Sequence, residues 1–301
     1  MSGSLPSSRI SIIGLGLIGS SLARALAGVE TVGYDVSAEV RERARTLNFC
    51  SEIKDSLADA VAGAEIVILA VPVGATDAVA QAIAPFVAAG AIISDVGSSK
   101  AGVAADLAAA LPGHAIVPAH PVAGTENSGP DAGFASLFKG RWCILTPPEG
   151  TDPEAIARVT ELWEAVGANV ETMDARHHDL VLAVTSHLPH LIAYTIVGTA
   201  SDLEEVTQGE VIKYSAGGFR DFTRIAASDP VMWRDVFLAN REAVLEMLQR
   251  FSEDLTELQR AIRWGDGDKL EALFSRTRTI RRSIVEQGQD DEAPDFGRKH
   301  D

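Results

Sequence analysis

Arg9-Ile10-Ser11-Ile12-Ile13-Gly14-Leu15-Gly16-Leu17-Ile18-Gly19 is the stretch from which the fold can be read. A short apolar run, Ile10 to Ile13, ends in G-x-G-x-x-G, and a helix is expected at once from Ser20 to Ala27. Gly14 permits a tight turn, Gly16 leaves no side chain between the backbone and a pyrophosphate, and Gly19 lets the helix pack close to the strand. The free N–H groups at the helix start then face an anion. Gly14, Leu15, Gly16, Leu17, Ile18 and Gly19 are therefore read together as a dinucleotide cradle. A second apolar run, Thr31 to Tyr34, ends in Asp35, 21 positions beyond Gly14. A ribose-binding carboxylate is expected about 20 residues on. The plain alternative is a strand-turn-helix with a surface Asp. Asp35 would accept hydrogen bonds from ribose hydroxyls and repel a 2′-phosphate, and Val36, Ser37 and Ala38 offer no Arg to hold one, so NAD is favoured over NADP.

The 301 residues suffice for one large or two ordinary domains, and 46% hydrophobic content implies a sizeable core. A net charge of −16 argues against nonspecific binding to nucleic acid or to anionic membranes. It leaves room for an anionic substrate held by a local Arg. Cys50 and Cys143 are read as two buried thiols rather than a disulfide or metal site, which suits a reducing cytoplasm. Residues 1–8, MSGSLPSS, lack the basic and apolar regions of a secretory signal and are expected to be disordered. No apolar run is expected to approach the ~20 residues of a membrane span. The polar stretch Gln287 to Asp301 reads as a disordered tail.

Strands and helices alternate through the first half. Strands are expected at 9–13, 31–35, 65–71, 91–95, 115–117, 141–146 and 168–171, with helices at 38–47, 75–88, 100–111 and 153–166 between them. This pattern implies an α/β, Rossmann-type, doubly wound and mostly parallel sheet over residues 9–173. After Asp174 no convincing strand appears, and residues 174–286 read as an all-α domain with helices at 175–201, 231–264 and 268–286. Their apolar residues extend beyond one stripe, which favours a homodimer over a monomer.

In an open α/β sheet the ligand lies beyond the carboxyl ends of the strands. That places Val71 and Pro72 against the adenosine and ribose, and Ser98 near the nicotinamide. His120, held between Ala119 and Pro121 after an expected strand, is the candidate base, since a neutral imidazole can take a hydroxyl proton near neutral pH. The bland alternative is a loop His bonded to backbone. His187 and His190 share a helix face, and Pro189 between them breaks the backbone ladder, which points to a local reason such as a kink at a site. Core histidines are the alternative. His177 and His178 are adjacent and point apart on a helix, so no metal site is expected. Gly217 to Ile225 mixes glycines, aromatics and charges and reads as irregular. Arg224 within it could clamp a carboxylate or pair with Asp221 or Glu210.

Five motifs in order carry a resemblance: the Gly14–Gly19 turn; Asp95-Val96-Gly97-Ser98-Ser99-Lys100; Ala119-His120-Pro121-Val122-Ala123-Gly124-Thr125-Glu126; Ser186-His187-Leu188-Pro189-His190; and Gly218 to Arg224 with Asp229-Pro230-Val231-Met232-Trp233. The chain resembles the prephenate/arogenate dehydrogenases of tyrosine biosynthesis over about residues 9–285. The resemblance implies oxidative decarboxylation of a cyclohexadienol. It implies His120 as the group that takes the C4 hydroxyl proton and Ser98 as its assistant. It also implies Arg224 on a substrate carboxylate, and His190, Thr125, Glu126 and Trp233 around the substrate. Tyrosine is implied as a competitive inhibitor at the active site, and a dimer through the helical domain. Another two-domain dehydrogenase of β-hydroxy acids or imines would place a Lys where His187 and His190 stand. A non-enzymatic NAD sensor would bind NAD without turnover. His190 as a partner of a pyruvyl end tilts the substrate choice toward prephenate over arogenate.

Overall fold

The structure is a computed structural model that describes residues 9–125, 127–202, 213 and 217–286. Packing divides the chain into two compact units. Among the described residues, one runs up to Leu191 and takes in Ile225–Val244, and the other comprises those within Ile192–Arg224 and from Leu245 to Glu286. Chain pattern changes at 173/174, whereas packing groups the first helices after that point with the sheet.

In the first unit, β1 (Ile10–Ile13), α1 (Leu17–Ala25), β2 (Thr31–Tyr34), α2 (Ala38–Leu47), β3 (Glu52–Ile53), α3 (Leu57–Val61), β4 (Ile66–Leu69), α4 (Thr76–Ile83), β5 (Ile92–Asp95), α5 (Ala101–Ala110) and β6 (Ala115–Ile116) alternate. The six strands are parallel in the order β3-β2-β1-β4-β5-β6. Alternate side chains point to opposite faces. Ile10, Ile12, Ile66 and Ile68 enter one apolar cluster, and Ile13, Val67, Leu69 and Ile93 the other. Burial on both faces is why these strands read as unbroken apolar runs. The strand order reverses between β1 and β4, so the crevice past their carboxyl ends is the natural ligand position. Helix α1 starts at Leu17, inside the glycine motif, rather than at Ser20, with Gly16 as its N-cap. The two-residue edge strand β3 and the five-residue α3 are too short to leave a period and lie outside the expected elements.

Residues 119–172 depart from the expectation of one continued sheet. Only β6 joins it. β7 (Ala119–Pro121), β8 (Trp142–Leu145) and β9 (Asn169–Thr172) form a second sheet, with β7 antiparallel to β8 and β8 parallel to β9. Pro118, which has no N–H to give a ladder, separates β6 from β7. His120 therefore lies within a strand, opposite Ile144, and not after one. α6 (Pro153–Ala165) covers this sheet through Val159, Leu162 and Trp163.

The helix expected at 175–201 is α7 (Ala175–Leu182), a π-helical turn Ala183–His187, and α8 (Leu188–Asp202). The wide turn sits just before Pro189 and relieves the clash of its ring with the carbonyl four residues back. Together Ala175–Asp202 spans 28 residues with mean hydropathy 1.6, long and apolar enough to cross a membrane by length and composition, contrary to the expectation above. Core helices of soluble folds meet the same test, and His178, Asp179 and His187 of this run are buried. The Gly217 to Ile225 segment is not irregular. It forms α9 (Gly217–Thr223) and a 3-10 turn, Arg224–Ala227, too short to leave a periodic signal. The helix expected at 231–264 is broken at Asn240 into α10 (Pro230–Ala239) and α11 (Arg241–Trp264), followed by α12 (Gly267–Glu286).

Close packing at the glycine turn generates a stability contrast. A Cβ on Gly19 would lie 1.9 Å from the Gly14 carbonyl oxygen, whereas one on Gly16 meets nothing within 4 Å. Gly19→Ala should destabilise the fold by about 2–3 kcal/mol in urea unfolding, and Gly16→Ala by less than about 1 kcal/mol.

Candidate active site

At the switch point between β1 and β4 the turn Gly14–Gly19 meets the end of β4. Gly14 has φ +99°, and a Cβ there would sit 2.3 Å from the Ala70 carbonyl oxygen and 3.2 Å from Val71 Cγ1. Asp35, at the end of β2, accepts from the Leu15 amide (2.9 Å, Oδ2) and from the Ser37 amide (2.9 Å, Oδ1). Its carboxylate is thus bound to the glycine turn itself. No side chain caps the first turn of α1. Open space at Gly16, uncapped amides and a carboxylate on the neighbouring strand suit a dinucleotide's pyrophosphate and ribose.

The titratable groups lie at the carboxyl end of β5. Asp179 on α7 caps the start of α5: its Oδ1 accepts from the Lys100 amide (2.7 Å) and its Oδ2 from the Ala101 amide (2.9 Å). Oδ1 also meets His178 Nδ1 at 2.9 Å, and His178 Nε2 meets His120 Nδ1 at 2.8 Å. A carboxylate only accepts, so the proton positions follow in sequence. His178 carries Nδ1–H, its Nε2 accepts from His120 Nδ1–H, and His120 is left with a lone pair on Nε2. Burial chiefly, helped by His178, Lys100 and His187, holds the His120 pKa well below the ordinary imidazole value. This ring is therefore neutral at physiological pH and able to accept a proton.

Behind it, Lys100 Nζ donates to Asp95 Oδ2 and to the Ala119 carbonyl (2.8 Å), both side chains being fully buried. Asp95 Oδ2 also accepts from the Gly97 amide at 2.7 Å, which fixes the turn that carries Ser98. Burial pushes Lys100 down and Asp95 up, and their mutual attraction opposes both shifts. Asn240 Nδ2 donates to the Asp179 carbonyl (2.7 Å) and reaches His187 Nδ1 (3.1 Å). Burial first of all lowers His187 to about 4. One turn on, His190 stacks on Trp233 with ring centroids 3.6 Å apart, and its Nδ1 meets the Ser186 carbonyl at 2.9 Å.

The first unit thus brings together His120, Ser98, His187, His190 and Trp233. Thr125 is exposed on the segment that leaves β7, and Glu126 lies outside the described residues. Farther along, the segment is fastened to the helix after the glycine turn: Arg24 Nη2 donates to the Pro130 carbonyl (3.1 Å) and the Phe134 amide to Ser21 Oγ (3.1 Å). Arg224 is exposed and belongs to the second unit, at the head of its 3-10 turn. His178, Asp179, Lys100 and Asn240 also belong to the site; from sequence, Lys100 stands only within the Asp95–Lys100 motif and His178 only as an unsuitable metal ligand. One signal was available: the apolar face of Leu182 and Ala183, extended back one turn, falls on His178 and Asp179. Among the described residues no group of three or more His, Cys, Asp or Glu could hold a metal ion.

Two family models match the chain: "Prephenate dehydrogenase, nucleotide-binding domain" over residues 18–172 and "Prephenate dehydrogenase, dimerization domain" over residues 174–276. A cyclohexadienyl dehydrogenase of Zymomonas mobilis is 48% identical over 279 residues, covering 91% of this chain and 95% of the relative. A prephenate dehydrogenase of Bacillus subtilis is 34% identical, over 90% of this chain and 74% of the relative. The crystal structure of prephenate dehydrogenase from A. aeolicus in complex with hydroxyphenyl propionate and NAD+ superposes with a TM-score of 0.87. It is 34% identical and covers 94% of this chain and all of that one.

Removal of the Asp179 carboxylate orphans two helix amides and the His178 Nδ1–H together. Asp179→Ala should cost about 3 kcal/mol or more in urea unfolding, an outcome checked against Asp174→Ala, whose carboxylate caps only an exposed helix start.

Proposed function

The chain belongs to the prephenate dehydrogenase family, and from that premise we propose that it oxidises and decarboxylates a cyclohexadienol of the prephenate/arogenate type, using NAD. The observation that carries the assignment of roles is the Asp179–His178–His120 chain, which ends in an unprotonated Nε2. Gly14 to Gly19, Asp35, Val71, Pro72 and Ser98 would hold the dinucleotide. When bound, it supplies the acceptor for the hydride that leaves C4.

In this reading His120 Nε2 takes the C4 hydroxyl proton as the C4–H bond breaks, giving a ring ketone. The bond to the ring carboxylate then breaks, carbon dioxide leaves, and its electron pair completes the aromatic ring as a phenolate. His120 returns the proton to that oxygen, so the residue ends as it began. His178 and Asp179 keep the His120 ring in the needed tautomer and disperse the positive charge it acquires. Ser98 assists His120, and Arg224 binds a substrate carboxylate. A protein of charge −16 needs such a local cation to attract a dianion. His190, stacked on Trp233, is a partner for the side-chain end, favouring prephenate over arogenate; Thr125 and Glu126 face the substrate. Tyrosine, similar in shape to the product, is proposed as a competitive inhibitor. A homodimer through the helical region is supported by the matched dimerization model and by exposed apolar residues such as Leu245, Leu255, Ile262 and Phe274. The chain is taken to work in the cytoplasm.

His120→Asn should lower kcat by ~10² to 10⁴ while the Kd for NAD barely changes, measured by steady-state turnover and cofactor titration. Comparing kcat/KM for prephenate and arogenate, each with NAD and NADP, should rank prephenate with NAD first; unchanged turnover in the variant would remove His120 from the mechanism. Arg224→Gln should raise the KM for substrate by ~10-fold to 100-fold, the loss expected of one charged hydrogen-bonding pair, with little effect on NAD binding.

A further inference from the structure

Lys100 is the one fully buried lysine among the described residues, and the roles above leave it unused. Its position is unusual in three respects. Its own amide binds Asp179 Oδ1, the carboxylate that begins the histidine chain (2.7 Å). Its Nζ donates to the carbonyl of Ala119, whose peptide bond leads directly into His120 (2.8 Å). The same Nζ is tied to Asp95 at the end of β5. One side chain thus bridges the two sheets, from the strand that ends beside Ser98 to the strand that carries His120.

We propose that Lys100 is a positioning residue for the reaction: held by Asp95, it pins the peptide that carries His120, and as a buried ammonium it repels a second proton from that ring. This rests on the reading of His120 as the base. A cation in a dry interior is felt strongly, because little solvent screens it. The titratable groups around His120 are His178 from α7, His187 from the π turn, Cys143 from β8 and Lys100 from the β5–α5 junction, with Asp179 behind His178 and Asp95 behind Lys100. Of these, Lys100 is the aliphatic amine, and its bonds to Asp95 and to the Ala119 carbonyl favour its charged form against the pull of burial. Asp95 partly cancels that charge at long range while also orienting Nζ toward the Ala119 carbonyl.

Two measurements test this. The first is the pH dependence of kcat/KM in Lys100→Met and in Asp95→Asn/Lys100→Met, where the double variant leaves no buried charge unpaired. The second is an NMR titration of the His120 ring, assigned by its absence in His120→Asn. The acid limb should move to higher pH by about one unit in Lys100→Met and by less in the double variant, which also lacks the opposing Asp95 charge, with the ring titration moving alongside it. A folded variant whose limb and ring titration both stay in place overturns the proposal and leaves the base assignment intact. A ring titration that moves while the limb does not overturns His120 as the base, and with it the part played by Lys100. Should neither variant fold, the wild-type protein decides. The His120 ring should titrate below the ordinary imidazole value of about 6.5, and titration at or above that value overturns the proposal.

Discussion

The site depends on one carboxylate that does two jobs. Asp179 terminates the backbone of α5 by accepting the Lys100 and Ala101 amides, and it also accepts from His178. The helix end favours negative charge there, and both carboxylate oxygens are engaged as acceptors. Everything downstream takes its direction from that fact. An acceptor at Asp179 fixes a donor on His178, a donor on His120, and a lone pair at the far nitrogen. Were the first group a donor, both rings would turn over and the last nitrogen would be blocked by its own proton. The elements that meet at this carboxylate are therefore constrained by chemistry as well as by packing.

Legibility in the sequence followed the range of the interactions. The glycine turn, Asp35 and the central strands are local patterns, set by turn geometry and by burial on two faces, and they lie close to where they are expected. The second sheet is not local. Whether 141–146 extends the first sheet or opens another depends on Pro118 interrupting the ladder, an effect on partner choice rather than on strand propensity. Edge strand β3 has two residues and no apolar signature, so nothing in its composition announces it. The histidine chain was invisible for a related reason: His120 and His178 stand 58 positions apart, and Lys100 and Asp179 79. As metal ligands, adjacent His177 and His178 are at a disadvantage because they point apart. For a relay it is no disadvantage, since only one of them needs to face inward.

Breaks in the helices serve the same site. Asn240 interrupts what its neighbours would continue as one helix, a costly place for an amide unless its side chain is satisfied. Here it donates to the Asp179 carbonyl and to His187, closing the last turn of α7 against the next element. Pro189 is similar. An ordinary α-helix would exclude it from this interior position, but the π turn at Ala183–His187 gives it room and changes the register at which His187 and His190 project. His187 then faces Asn240 while His190 lies flat on Trp233. Local rules of helix formation are broken twice within a few residues of the histidine chain, which is where a fold under functional constraint is expected to break them.

Electrostatics link this arrangement to the reaction class. A base that must be free at neutral pH is best built from an imidazole with depressed proton affinity, and burial alone provides part of that. Burial also raises the cost of the protonated ring formed during turnover, so a second group has to share the charge. His178 backed by Asp179 does this without adding a net charge beside the ring in the resting state, because the carboxylate's charge is already taken up by the α5 amides. The same pocket would hold a free imidazole poorly if a carboxylate touched it directly, since direct contact raises proton affinity. Placing one histidine between the carboxylate and the base reconciles a neutral resting ring with a tolerable charged one, and it explains why two histidines stand where a single His–Asp pair would otherwise be enough.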